Sequence, residues 1–102
     1  MSNNSSLNEI AVPTLMLFVT GNAPRSRRAR KNLASALASL ELDSVKPMEI
    51  DLLSSPDKTV TYSVFATPAL LCTDDSGQVR VLYGDLSDEV KLRDFLRDLV
   101  DE

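Results

Sequence analysis

Histidine does not occur anywhere in this sequence, and neither does tryptophan. Without imidazole the chain has no access to the commonest general base, metal ligand and physiological pH switch. Cysteine occurs once, at Cys72. A lone thiol cannot close an internal disulfide, so the chain reads as a protein of a reducing compartment, the cytoplasm. Glycine numbers three and proline five, too few for a low-complexity chain, and with 43% apolar and 25% charged residues the composition is that of an ordinary globular protein. Long apolar runs are missing as well. The uncharged stretch at residues 10–24, which none exceeds in length, is interrupted by Pro13, Gly21 and Asn22, so no membrane span is expected.

What the chain does have is unevenly spread charge. Its net charge is −4, yet between positions 10 and 40 the only charges are Arg25, Arg27, Arg28, Arg30 and Lys31. From Asp85 onward seven acidic side chains face three basic ones. That asymmetry predicts a polar docking surface for a partner of opposite sign or for another copy of the chain. Nucleic acid is disfavoured, since the chain is acidic overall and no aromatics interleave with the arginines.

At 102 residues the chain has room for one domain, set here at 13–102 behind a polar leader at 1–12. Residues 13–20 form a nearly continuous apolar run and predict a strand buried on both faces. Gly21-Asn22-Ala23-Pro24 turns the chain, with Asn22 the candidate cap of a helix over 25–40 whose apolar stripe is Ala29, Leu33, Ala36, Leu37 and Leu40. A second strand follows over 45–53. Residues 54–65 are undecided, because Ser55-Pro56-Asp57 suits a helix start whereas the next residues are β-branched and aromatic. Two strands, 69–73 and 78–83, flank Asp74-Asp75-Ser76-Gly77 as a hairpin. Ser87 is the candidate cap of a final helix facing inward through Leu92, Phe95, Leu96 and Leu99.

The resulting order, β-α-β-α-β-β-α, resembles that of a thioredoxin-like α/β domain. Pro68 falls where that fold commonly carries a cis proline, although an ordinary proline at a strand start fits the same position. A thioredoxin-type oxidoreductase needs an activated thiol just after the first strand. Gly21-Asn22-Ala23-Pro24 occupies that place, and Cys72 lies in an apolar strand where a buried, inert thiol is expected. The carboxylate pairs Asp74-Asp75 and Asp88-Glu89 are accounted for by turn chemistry and helix-dipole compensation. No phosphate-binding loop is present. No catalytic residue, metal site or cofactor is therefore assigned.

Three segments in sequence carry a closer resemblance: Leu17-Phe18-Val19-Thr20-Gly21-Asn22-Ala23-Pro24-Arg25-Ser26; Ile50-Asp51-Leu52-Leu53-Ser54-Ser55-Pro56, followed after nine residues by Ala66-Thr67-Pro68-Ala69-Leu70; and Gly84-Asp85-Leu86-Ser87. Together they resemble the KaiB family of small clock proteins over roughly residues 13–100. The resemblance implies a non-catalytic partner of KaiC, a hexameric ATPase and autokinase, with KaiA or a histidine kinase sensor domain as further partner or competitor. It also implies two folds for one chain. The free protein rests as a dimer or tetramer in a different α/β fold, and an exchanging monomer becomes thioredoxin-like when bound. On this resemblance Pro68, Gly84 and Asp85 are the fold-switch positions; Asn22, Arg25, Arg27 and Arg28, in and beside the basic cluster, are expected to face the partner. If 84–85 is the switch, Gly84→Ala with Asp85→Arg raises the monomeric, partner-competent fraction. The chain departs from the family pattern over 60–65, which holds no acidic residue, and in its arginine density over 25–31; both point to a divergent paralogue. The competing expectations are a redox protein using Cys72 and a self-associating structural protein.

Overall fold

The computed structural model describes residues 15–42, 44–74 and 76–100. The proposed leader at 1–12 and its boundary with the domain lie outside these residues, as do Pro13, Thr14 and Asp75. Seven elements follow one another: β1 (Leu15–Val19), α1 (Pro24–Ser39), β2 (Met48–Asp51), α2 (Lys58–Tyr62), β3 (Ala69–Thr73), β4 (Val79–Tyr83) and α3 (Glu89–Val100). They build the thioredoxin-like α/β fold expected from the element order.

Five consecutive apolar side chains make β1 fit only where both faces of a strand are covered, and all five are buried. It accordingly lies inside a four-stranded sheet of order β2-β1-β3-β4. β1 runs parallel to β2, which requires the crossover that α1 supplies. It runs antiparallel to β3, and β3 pairs antiparallel with β4 as the expected hairpin.

The period of two along the strands divides the core into two layers. Leu15, Leu17, Val19, Leu70 and Cys72 point to the face covered by α1 and α3, where Ala29, Leu33, Leu37, Leu92, Phe95 and Leu96 meet them. Met16, Phe18, Ala69 and Leu71 point the other way, under Val64 and the half-buried Tyr62, Ile50, Leu52 and Val81. Among the described residues only the short α2 covers that second face. Large apolar side chains are left in solvent around it: Val60 is 84% exposed and Phe65 82%.

Segment 54–65 resolves as a helical turn. Val60 and Thr61 N–H groups both donate to the Asp57 carbonyl, and Ser63 ends the turn at φ 56°. The β-branched run gives way to packing, since this conformation seats Val64 in the core and lays Tyr62 on Phe18 with ring centroids 5.6 Å apart. β2 is shorter than the 45–53 expected, because Pro47 has no N–H to give and Ser54 folds back onto the Asp51 carbonyl.

Both cap assignments are corrected. Ala23 precedes α1 with no side-chain cap; Asn22 instead uses its oxygens to receive arginines. Asp88, not Ser87, caps α3, accepting from the Lys91 N–H at 3.1 Å. Among the described residues no helix is long and apolar enough to cross a membrane.

Candidate partner-recognition site

One end of the sheet gathers three separate stretches of chain: the β1–α1 turn, the residues before β3, and the segment joining β4 to α3. Hydrogen bonds join the three stretches to one another. The Thr20 N–H donates to the buried Ser26 hydroxyl at 3.0 Å, and the Thr20 and Thr67 hydroxyls bond each other. Thr67-Pro68 is a cis peptide, which settles the alternative left open at Pro68. The Pro68 carbonyl accepts from the Gly84 N–H at 3.0 Å. Pro68 and Gly84 are therefore direct neighbours.

Gly84 sits at φ 113°, a region an L side chain rarely adopts, and this lets the chain leave β4 and turn toward α3. Asp85 is then anchored from two sides. Its carboxylate accepts from the Arg28 Nε at 3.0 Å and from the Ser87 N–H at 3.1 Å, while its carbonyl accepts from the Asn32 side-chain amide at 3.0 Å. The Ser87 hydrogen bonds and the Arg28 guanidinium pull the Asp85 carboxyl down to about 2. Of the expected site residues, Pro68, Gly84, Asp85 and Arg28 are thus brought into one connected cluster. Arg25 joins it sterically, its guanidinium lying 4.0 Å from where a Cβ on Gly84 would be. Arg25, Gly84 and Asp85 border a cleft of about 150 Å³ that also includes Leu82, Leu86 and Lys91.

Asn22 and Arg27 lie at the start of α1, apart from that cleft. The Arg27 guanidinium donates to the Asn22 carbonyl at 2.8 Å. Sequence reasoning assigned no role to the group that shapes this turn, namely Arg30, Glu49 and Asp51. Arg30 bonds both Glu49 oxygens, the Gly21 carbonyl at 2.9 Å and the Asn22 side-chain oxygen at 3.1 Å. The Glu49 carboxylate raises the Arg30 pKa. One Asp51 oxygen accepts from the Gly21 and Leu53 N–H groups, each at 3.0 Å, and these two bonds lower its pKa. The alternation of Glu49 and Asp51 along an expected strand was the available signal, since two acidic residues there call for a basic neighbour.

The four clustered arginines thus separate by task. Arg28 and Arg30 are committed to ion pairs within the domain. Arg25 has no ion pair or hydrogen bond among the described residues.

Cys72 is 1% exposed, in mid-strand opposite Leu15 and Arg80. The turn after β1, where a thioredoxin's nucleophile would stand, carries glycine, asparagine and alanine. Among the described residues no group of three or more His, Cys, Asp or Glu side chains could hold a metal ion.

No family model matches the chain. It is 38% identical over 89 residues to the circadian clock oscillator protein KaiB of Gloeothece citriformis, an overlap of 86% of this chain and 82% of that protein. In structure it is similar to the N-terminal domain of SasA from Synechococcus elongatus, with a TM-score of 0.67 and 26% identity over 90% of this chain and 88% of that one. Mitochondrial thioredoxin 3 of Saccharomyces cerevisiae superposes with a TM-score of 0.68 over 96% and 92% of the two chains, at 17% identity, a likeness of fold alone.

Proposed function

The chain belongs to the KaiB family, and from that premise we propose that it is a non-catalytic, cytoplasmic regulatory protein that binds a KaiC-type hexameric ATPase and modulates its phosphorylation and ATPase cycle. The observation that carries this reading is a thioredoxin-like frame emptied of thioredoxin chemistry. The turn after β1 holds no thiol, Cys72 is enclosed by the sheet, and what stands at that end instead is the arginine-bearing start of α1 beside cis-Pro68 and Gly84. Asn22, Arg25 and Arg27 form the contact surface. Arg28 supports it by holding Asp85 in place.

Similarity to the SasA N-terminal domain supports a competitive mode of action. Two domains of one fold that present the same end of the sheet exclude each other from a shared ring, so a histidine kinase sensor of this shape is displaced as the chain binds. Assembly with KaiA belongs to the same reading. So does a resting oligomer in the family's other fold, with Pro68, Gly84 and Asp85 as the positions that change. Two packings of one chain coexist when they differ by a few kcal/mol, and a partner selects one through its differential affinity. The uncharged stretch from Val60 to Phe65 and the dense arginines of α1 favour a divergent paralogue whose ring partner differs from that of the core clock.

Size-exclusion chromatography of the chain mixed with each KaiC-type protein of its host tests the proposal. Slow co-elution, developing over minutes to hours and weakened by reversing the charge of Arg27, is expected. Absence of a complex with every such protein after a day removes the reading. An insulin-reduction assay that registers turnover lost in Cys72→Ser would replace it with redox chemistry.

A further inference from the structure

A parallel strand beneath a crossover helix is ordinarily apolar on the face that the helix covers, and β2 departs from that rule. Its register with β1 pairs Glu49 with Leu17 and Asp51 with Val19. Residues paired across neighbouring strands share a face, so both carboxylates leave β2 on the α1 side, where Leu17 and Val19 belong to the core. Neither fills the layer beneath the helix. Glu49 is drawn to the Arg30 guanidinium, 2.9 Å away, and Asp51 turns back to the Gly21 and Leu53 N–H groups. On the opposite face Ile50 packs against the core in the usual way.

The space left unfilled is a groove of about 380 Å³ between α1 and the entry to β2. Its floor is Leu17, Leu33 and Leu37, all members of the core. Ala34 and Ala38 line it from α1, and Val45 and Pro47 from the segment before β2. The α1 side runs from Arg30 to Ala38, about 12 Å of helix. The two ends differ in charge. Arg30 and Glu49 close one as a neutral pair, and Arg30 is further engaged with the Gly21 carbonyl and the Asn22 side chain. At the other stands Lys46, exposed and without an ion pair or hydrogen bond among the described residues.

We propose that this groove binds a small amphiphilic anion, an apolar chain of medium length ending in a carboxylate, with the chain laid over Leu17 beside Ala34 and Ala38 and the head at the Lys46 ammonium. Three properties select that class. The volume lies within the range of about 300–1,000 Å³ typical of small-molecule sites, and the lining is of the matching kind, apolar with a few polar groups at fixed places. The charge left unbalanced at the rim is positive, since Arg30 is neutralised by Glu49 and Lys46 is not. The length is short: about 12 Å holds only about four residues of extended peptide, so a polypeptide would overrun both ends. A bound chain supplies the apolar atoms that Glu49 and Asp51 withhold from the layer between α1 and the sheet.

Titration of the chain with decanoate, kept below its micelle-forming concentration and followed in nitrogen–proton correlation spectra, is the test, and it requires no ATPase, so its failure leaves the ring-binding proposal standing. Saturable shifts centred on the amides of Leu33, Ala34, Ala38, Val45 and Lys46 are expected. Decanol should bind about two- to fivefold more weakly, the worth of one exposed ion pair. Lys46→Met should erase that preference while leaving the affinity for the alcohol unchanged. Ala34→Phe, at an exposed helix position, should fill the groove and abolish binding with the circular dichroism unaltered; Ala38→Phe, also exposed, blocks it from the next turn, so that one variant decides if the other misfolds. A chain resting in the family's other packing should be drawn by decanoate toward the thioredoxin-like one, which holds the groove, and carbon shifts over 79–100 report that change. Absent or non-saturating shifts overturn the inference, and so do equal affinities for decanoate and decanol or binding that persists in both phenylalanine variants. Shifts strongest at Val60 and Phe65, exposed apolar side chains beside the other face of the sheet, would mark adventitious surfactant binding only and overturn it as well.

Discussion

Replacing Gly84 by alanine asks how much of the thioredoxin-like fold depends on the β4–α3 joint. The cost is all backbone. A Cβ at that position meets nothing nearer than the Arg25 guanidinium at 4.0 Å, so no collision contributes, but φ is 113°, outside even the small left-handed region that other residues visit. Holding alanine there costs of order 1–3 kcal/mol. Relaxing the angle instead breaks the Gly84 N–H bond to the Pro68 carbonyl and shifts Asp85 away from Arg28 and Asn32. For a domain near 100 residues each kcal/mol moves the melting temperature by roughly 4–8 °C, so a fall of about 4–24 °C is expected, with a lower urea midpoint at unchanged slope. Gly21→Ala is the internal standard. Its φ of 50° lies within the left-handed basin, and its 2.9 Å contact is to the tip of Leu53, a side chain 70% exposed and able to rotate. It should lose only about 1 kcal/mol.

This result bears on the expectation that Gly84→Ala with Asp85→Arg enriches a partner-competent form. In the thioredoxin-like packing both substitutions are unfavourable, the second because it trades the Arg28–Asp85 ion pair for two facing guanidinium groups. Enrichment can follow only if another packing of the chain loses more. Equilibrium urea unfolding of the two single variants and the double variant, alongside ATPase-binding rates, separates the contributions. An unchanged or higher midpoint for Gly84→Ala refutes the strain argument.

Arg30→Met removes the paired bonds to Glu49 and those to Gly21 and Asn22; with both partners partly in solvent the loss should be about 1–2 kcal/mol by denaturant titration. Leu96→Ala, at a fully buried position between α3 and the sheet, should cost about 2–5 kcal/mol, and a loss below 1 kcal/mol would place α3 outside the core. The Asp85 carboxyl is depressed in the folded state to about 2, so its stabilising effect is complete above the ordinary carboxylate range near pH 4 and fades as pH falls toward 2; Asp85→Asn should flatten the acid limb of the stability profile, and an unaltered limb would refute the assignment. Arg27→Glu should weaken ATPase binding more at low salt than at high salt, because attraction between exposed charges is screened, and a salt-independent effect would clear Arg27 of contact.

Much of the fold was legible because burial leaves a period in the sequence. β1 showed as an unbroken apolar run, α1 as a stripe at helical spacing, and the β3–β4 hairpin as two strands around a polar turn. α2 was not legible. Lys58 to Tyr62 prefers extended structure locally, and only the need to seat Val64 and Tyr62 against Phe18 makes it helical. Capping failed for a related reason. Asn22 and Ser87 have the right chemistry, but Asn22 is drawn into the arginine network and Ser87 is engaged with Asp85.

The candidate site shows the same limit in another form. Five basic residues in seven positions read as one docking patch, and sequence offers no means of dividing them. Helical spacing divides them once the sheet is in place: Arg28 reaches Asp85 and Arg30 reaches Glu49, while Arg25 stands at the first turn beside Gly84 and Arg27 lies against the Asn22 carbonyl. The inward pair fixes the β1–α1 turn and the β4–α3 joint relative to one helix. Arg25 and Arg27 are consequently presented from a rigid base, the condition under which a surface charge loses little entropy on binding. On the proposed reading, a change at Arg28 or Arg30 should alter partner binding by moving this platform, whereas a change at Arg27 should alter it by removing a contact.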